Sequence, residues 1–326
     1  MNIVLATGGL LPALLYGGTE RVVWCLAKAL GRMGHRVSLL AAEGSRCDFA
    51  EVIPLRPGAS IDRSIPGDTE VVHLHFVPAE PIGKPSLVTV HFNQPGAGPL
   101  PRNAVFVSRQ QAERHGSTCF VHNGLDWSEY GAVDLDRERE YFHFLGKAAW
   151  RVKNVRGAIQ LASRCRRELK VLGGHRLNFK MGFRLTLTRW ATFHGMVDDR
   201  RKRDILSGSR GLVFPVRWHE PFGLALIESL YFGCPVFGTP YGSLPEIVSA
   251  EVGFLSASSD ELVPAMQAAG RYSPRRCHEY ARDRFDAMRM AHDYLKMYQS
   301  VASGEPLNGT HPALKATPGE KFLPWR

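Results

Sequence analysis

Short apolar runs alternating with helical stripes constrain this chain more than any other feature. Residues 2–6 form one such run, followed by a glycine-rich loop through Gly8, Gly9, Gly17 and Gly18. Val22, Val23, Leu26, Ala29, Leu30 and Met33 then recur at helical spacing, Gly34 stops the helix, and a second run covers 37–41. Thr19 is expected as the N-cap of this helix, with Glu20 in the first turn complementing the dipole. Further runs lie at 51–55, 71–75, 86–90, 104–107 and 119–122, and the proline- and glycine-rich stretch 95–101 reads as a loop. After a polar segment at 134–140 the alternation restarts, with strands expected at 141–145, 170–172, 191–194, 211–215 and 235–238. Helices are expected between them at 154–167, 199–207 and 223–231, and then at 259–268, 273–285 and 287–303.

The strand runs are apolar on both faces, as parallel strands covered by helices on both sides must be. The fold class is therefore α/β, with two Rossmann-like domains, each built on its own parallel sheet. The expected division is 1–136 for the first domain, 137–286 for the second, and 287–303 for a helix that crosses back to the first. The Pro/Gly-rich tail 304–326 is either a disordered end or a strap on the surface.

The totals remove several classes of function. No apolar run approaches the ~18–20 residues that span a bilayer, and the first residues have no basic n-region. Cys25, Cys47, Cys119, Cys165, Cys234 and Cys277 have no C-x-x-C spacing, which argues against a zinc cluster or disulfide framework and for a reduced, cytoplasmic setting. The net charge of +10 favours phosphorylated substrates, anionic membrane or nucleic acid. No nucleic-acid-binding signature accompanies it, so nucleic acid is not expected as a partner. The basic clusters of Arg164, Arg166, Arg167 and Lys170, of Arg200, Arg201, Lys202 and Arg203, and of Arg271, Arg275 and Arg276 read as solvated helix faces. Asp134-Leu135-Asp136 lies in a charged linker, not behind a buried strand, and His73, His75 and His91 have no nearby acid to complete a zinc set. No metal site is expected.

The chemistry concentrates at Glu220-Pro221-Phe222-Gly223-Leu224 and at Glu228, eight positions after Glu220. A loop carboxylate at Glu220 accepts from hydroxyls. The N–H groups of Phe222, Gly223 and Leu224 lie at a helix N-terminus, where an anion is welcome. Glu228, one to two turns into the helix, reaches a second diol. Hydroxyls, phosphates and a ribose outline a nucleotide-sugar. Lys147 and Lys153 flank the start of a helix, where two cations stabilise charge on a departing diphosphate. Gly17 and Gly18 let the backbone approach a phosphate closely. His91 ends a strand at the carboxyl edge where α/β proteins place ligands.

In order, the chain also carries Gly17-Gly18-Thr19-Glu20, Val121-His122-Asn123-Gly124-Leu125-Asp126, Leu145-Gly146-Lys147 and Lys153-Asn154. Gly233-Cys234-Pro235-Val236 and Gly242-Ser243-Leu244-Pro245-Glu246-Ile247-Val248 follow the glutamate segment. This set resembles the family 4 retaining glycosyltransferases of the GT-B fold, over roughly residues 1–300. The resemblance implies two Rossmann-like domains facing across a cleft, and transfer of a hexose-type sugar from a nucleotide-sugar to a hydroxyl acceptor. It implies retention of configuration, no metal and no cofactor, with polysaccharide or other envelope glycan synthesis as the setting. His91, Lys147, Lys153 and Glu220 form the implied catalytic set. Gly17, Gly18, Gly195, Val197, Phe222, Gly223, Leu224 and Glu228 are the implied donor-binding residues, with the Gly195 and Val197 backbone at the base. Lys147 stands where similar enzymes carry arginine, and a lysine is a point charge without the bidentate fork. Arg217-Trp218-His219 departs from the usual lead-in to the glutamate.

The partners this implies are a nucleotide-sugar and a glycan, lipid-linked or small-molecule acceptor, with peripheral contact at an anionic membrane as a hypothesis from charge. Two other functions keep the same residues: a GT-B nucleotide-sugar epimerase, and a non-catalytic nucleotide-sugar-binding subunit of another transferase. A dinucleotide oxidoreductase is disfavoured because no Gly-x-Gly-x-x-Gly follows a strand.

Overall fold

Two six-stranded parallel sheets organise the chain. The computed structural model describes residues 1–13, 17–56, 58, 60–93, 98–179, 182–315 and 322–326, and part of the expected loop 95–101 and of the tail lies outside them. The chain divides into one unit of Met1–Trp127 with Phe285–Thr317 and another of Ser128–Arg284 with Pro318–Arg326.

In the first unit the strands are β1 (Asn2–Ala6), β2 (Arg36–Ala42), β3 (Glu51–Leu55), β4 (Val71–Leu74), β5 (Ser86–Val90) and β6 (Ala104–Phe106). They pair in parallel in the order β3-β2-β1-β4-β5-β6. Ile3, Val4, Leu5 and Ala6 are all buried, so β1 shows no alternation, because both of its faces are covered. The helices here are α1 (Gly18–Arg32), α2 (Ile61–Ser64) and α3 (Arg109–Arg114).

In the second unit the strands are β7 (Tyr141–Leu145), β8 (Leu169–Leu172), β9 (Leu177–Asn178), β10 (Arg184–Leu185), β11 (Ala191–Phe193), β12 (Ser209–Phe214), β13 (Val236–Gly238) and β14 (Gly253–Leu255). The parallel sheet has the order β11-β8-β7-β12-β13-β14, while β9 and β10 form a separate antiparallel pair. The helices are α4 (Val155–Arg164), α5 (Asp199–Ser207), α6 (Leu224–Tyr231), α7 (Leu244–Ile247), α8 (Ser259–Gln267) and α9 (Pro274–Arg284). Phe142, Phe144, Val171, Val213 and Phe237 from the sheet pack with Leu161, Leu262 and Met266 from the helices.

The last helix, α10 (Ala287–Ala302), belongs to the first unit and packs on α1, β4 and β5. A buried chain of polar groups seats it. Tyr298 Oη and Thr89 Oγ1 bond the two ring nitrogens of His73 at 2.8 and 2.7 Å, and Tyr294 Oη meets the same Thr89 oxygen at 2.8 Å. The Asn123-Gly124-Leu125-Asp126 motif seats its start. Leu125 bridges Asp286, a Cβ on Gly124 would fall on the Asp286 carbonyl, and Asp126 pairs with Lys28 and Arg32 of α1 at 2.9 and 3.1 Å.

Several expectations change. The division falls after Trp127, not after residue 136, because Tyr130 packs on Tyr231 and Phe232 and donates to Glu228, all in the second unit. Gly17, not Thr19, is the N-cap of α1, since the Gly17 carbonyl already accepts from Arg21 N at 3.0 Å. Residues 119–122 form no strand, only an isolated bridge from Phe120 to Phe106. The tail straps: Asn308 bonds Arg102, Ala104 and Ser117, and Ala313 N and Lys315 N bond the His115 and Arg114 carbonyls. Phe322 to Arg326 lies on the second unit, with Leu323 exchanging bonds with Arg217 and Trp325 packed at the core edge.

Candidate functional site

All the strands of the second sheet run the same way, so the loops after β7, β8, β11, β12 and β13 emerge at one carboxyl edge. The sheet begins in its middle with β7 and departs on one side to β8 and on the other to β12. Such a switch point leaves a crevice at the strand ends, where open α/β sheets bind ligands. Lys153 follows β7 and Glu220 follows β12, and they meet here with Lys153 Nζ 2.5 Å from Glu220 Oε2.

Glu220 is only 5% exposed, so its charge requires partners. Trp218 Nε1 donates to the same Oε2 at 2.8 Å. The Lys153 ammonium lies 5.1 Å from the ring centres of both Phe214 and Trp218, a cation between two π faces. Local structure fixes the pair. The chain turns at Asn154 in the left-handed region (φ 54°), where its side chain caps α4 by accepting from Gly157 N and anchors to the Pro215 carbonyl. Arg217 N bonds the Val152 carbonyl at 2.7 Å, tying the lead-in of the glutamate to the turn that carries Lys153.

The backbone of the glutamate loop is braced from behind by the loop after β13. A Cβ on Gly242 (φ 66°) would lie 2.2 Å from Glu220 N, so only glycine permits the approach. Ser243 N bonds the Glu220 carbonyl at 3.0 Å, and its hydroxyl bonds the Phe222 carbonyl at 2.6 Å. Gly223 (φ 84°) is the N-cap of α6, so the helix starts three residues after Glu220 and its first turn carries N–H groups with no partner within the helix.

Glu228, 6% exposed, lies on α6. Its Oε1 accepts from Tyr130 Oη at 2.6 Å and Lys202 Nζ at 2.5 Å, and Lys202 also pairs with Asp199. Lys147 stands near the Trp150 ring, 5.1 Å from its centre, in the loop after β7. That loop is knitted to its neighbours backbone to backbone: Ala148 N bonds the Gly173 carbonyl, and Gly173 N bonds the Gly195 carbonyl. A Cβ on Gly173 would collide with the Gly146 carbonyl. Gly195 and Val197 thus lie in the same loop layer as Lys147.

In the first unit the corresponding switch point lies between β1 and β4. The Glu20 carboxylate fills the inner side of the glycine loop and would collide with a Cβ on Gly9 or Gly17. His91 follows β5, and its Nε2 bonds His75 Nδ1 at 2.8 Å. Burial holds the His91 imidazole down at about 4, and burial together with the neighbouring histidines pushes His73 and His75 well below the usual range. All three are neutral imidazoles at neutral pH. Among the described residues no group of three His, Cys, Asp or Glu side chains converges on a metal position. Asp134 instead closes an exposed turn by accepting from Asp136 N and Arg137 N.

The second unit therefore brings Lys153, Glu220, Phe222, Gly223 and Leu224 together at one switch point, with Glu228 deeper on α6 and Lys147, Gly195 and Val197 in the adjoining loops. His91, Gly17 and Gly18 belong to the first unit. Sequence reading named Trp218 only as an unusual lead-in and Gly242-Ser243 only as part of a motif, and it did not name Tyr130. Lys202 was expected on a solvated helix face, and the structure buries it against Glu228.

Residues 131–284 match the family described as Glycosyl transferases group 1. An uncharacterized 41.2 kDa protein in the cps region of Klebsiella pneumoniae is 24% identical over 115 residues, which is 33% of this chain and about a third (32%) of that protein's length. The crystal structure of AviGT4, a glycosyltransferase involved in avilamycin A biosynthesis, superposes at a TM-score of 0.73 with 22% identity, over 93% of this chain and 98% of that one. Anabaena HepE in complex with UDP and glucose superposes at 0.67 with 15% identity, over 92% of this chain and 100% of that one. At such identities the structural likenesses speak to the fold, and the family match to the second unit. Residues 131–284 match the glycosyl transferases group 1 family, and the two parallel sheets of the chain have the GT-B fold.

Proposed function

We propose that the chain transfers a hexose-type sugar from a nucleotide-sugar to a hydroxyl acceptor with retention of configuration. The observation that carries this reading is the Lys153–Glu220 pair at the β7/β12 switch point, with the N-terminus of α6 three residues after Glu220. In this reading Glu220 Oε1 accepts from the sugar hydroxyls. The first N–H groups of α6, with Lys153 and Lys147, take the diphosphate and the charge that grows on it as the C1–O bond breaks. A carboxylate has about four acceptor sites, so Glu228 can hold Tyr130 and Lys202 and still accept from a ribose diol. The Gly195–Val197 backbone then borders the base. His91, kept neutral by burial, serves as a hydrogen-bonding group in the first unit and not as a cation. The acceptor oxygen attacks the face that the leaving group vacates, and its proton passes to the departing phosphate oxygen. The two lysines supply the positive charge, so transfer proceeds without a metal.

The Klebsiella relative from a cps region supports capsule or other envelope glycan synthesis as the setting, and the HepE complex makes UDP-glucose the first donor to test. The test is a thermal-shift panel of UDP-, GDP- and ADP-sugars. The right donor at ~100 times its Kd stabilises by about 2.7 kcal/mol. Incubation of that donor with glycan acceptors follows, with the anomeric configuration of the product read by NMR. If no donor raises the melting temperature, or Glu220→Ala turns over like the parent, the reading is wrong. A donor isomerised in the absence of acceptor would establish an epimerase instead.

A further inference from the structure

The connection between the parallel strands β8 and β11 carries no helix among its described residues. It carries the β9–β10 hairpin instead. That hairpin is inverted relative to an ordinary surface hairpin. Leu185 stands opposite Leu177 and Arg184 opposite Asn178, so the two leucines share one face and Asn178 and Arg184 the other. Continuing the two-residue period puts Phe179, Phe183 and Leu187 on the leucine face. That face points to solvent: Leu177 is 47% exposed, Phe179 72%, Phe183 65%, Leu185 49% and Leu187 84%. The polar face points inward. Arg184 is buried, with its guanidinium donating to the Ala148 and His175 carbonyls at 3.0 and 2.9 Å. Arg176 pins the base by donating to the Thr186, Thr188 and Ala191 carbonyls.

We propose that this apolar face is a docking surface for an anionic lipid bilayer. Large apolar side chains held out on a locked hairpin are an interface, not an accident of folding. The charge around them selects the occupant. From Leu169 to Val197 the sequence contains no Asp or Glu, and it contains Lys170, Arg176, Lys180, Arg184 and Arg189. Arg176 and Arg189 are exposed at the base of the hairpin, and Arg189 lies against the half-buried Trp190 ring, 4.8 Å from its centre. Exposed apolar side chains on the hairpin, with arginines and an indole at its base, match the acyl boundary and the anionic headgroups. A second copy of the chain fits less well, because a twofold contact would set the same arginines of two chains, each of net charge +10, against each other. Arg184 bonds Ala148, the residue after Lys147, so docking would hold that loop of the second unit at the membrane.

The test is co-sedimentation of the full chain with vesicles of equal parts phosphatidylglycerol and phosphatidylcholine, and with phosphatidylcholine alone. It needs no sugar transfer, so it stands or falls apart from the function proposed above. The protein is expected to sediment with the anionic vesicles at low salt and to be released as salt rises. Phe179→Ser/Phe183→Ser should weaken binding about tenfold or more, with an unchanged melting temperature because both rings lie outside the core. Phe183→Trp should bind like the parent, as should Met288→Ser, which alters an exposed apolar residue on α10. Failure of the parent chain to sediment overturns the proposal, and so does equal binding by the double serine variant. Sedimentation velocity that shows a dimer, dissolved by those serines, would assign the surface to self-association and also overturn it.

Discussion

Replacing Lys153 with methionine keeps the length of the side chain and removes its charge. Glu220 is then a carboxylate 5% exposed whose Oε2 keeps only the Trp218 indole. Breaking a buried ion pair from one side costs about 3–5 kcal/mol. Lys153 keeps some exposure and Trp218 still donates, so the lower end, about 3 kcal/mol, is expected. For a unit of this size each kcal/mol moves Tm by about 2–4 °C, so Lys153→Met should melt roughly 6–12 °C lower. Glu220→Gln leaves an ammonium against the Phe214 and Trp218 faces, which softens its cost. The double variant removes both charges together and should recover about 2 kcal/mol of the summed loss. Calorimetry of the four proteins at one pH and ionic strength reads the coupling directly. Effects that add within about 0.5 kcal/mol would refute the pair as an energetic unit, and with it the view of Glu220 as an ion-paired acceptor.

Trp218→Phe keeps an aromatic side chain but loses the indole N–H and its 2.8 Å bond to Glu220; kcat/KM for sugar transfer should fall roughly tenfold or more, and stability by about 1.5–3 kcal/mol. Gly242→Ala places a Cβ 2.2 Å from Glu220 N at a positive φ, and should cost about 2–4 kcal/mol and abolish the donor thermal shift. His143 is bonded on both ring nitrogens by Ser209 and Ser229 and is pushed down to about 3 by burial and by Arg139. Its native pKa lies below its unfolded 6.5, so the unfolded chain takes a proton that the native chain refuses. The stability present above pH 6.5 therefore falls as pH drops toward 3, by about 1.4 kcal/mol per pH unit. His91, at about 4, acts the same way in the first unit from pH 6.5 down to its own value. Urea unfolding between pH 7 and pH 5 should show this slope, and a stability that stays flat would contradict it.

Much of the fold was legible because its signals are local. Doubly apolar runs mark parallel strands, and the stripe at Val22, Val23, Leu26, Ala29 and Leu30 marks α1. The strand at Gly253–Leu255 was missed because three residues carry too little pattern to separate from a turn. The β9–β10 hairpin was missed because its alternation faces the wrong way, with apolar residues outward, and its two strands are only two residues each. Thr19 looked like a cap because its residue type suits one, but the preceding glycine loop had already started the helix.

The sequence by itself determined two parallel sheets, the order of their elements and the Glu220-to-Glu228 segment on its loop and helix, since all of these rest on spacing along the chain. Only the tertiary structure decided what each charged group meets. Lys153 finds Glu220, Lys202 finds Glu228 and Gly242 backs the Glu220 peptide because of strand order, which sets β12 beside both β7 and β13. Those pairings join residues distant in sequence, and a buried charge takes whichever partner the sheet brings within a few ångströms.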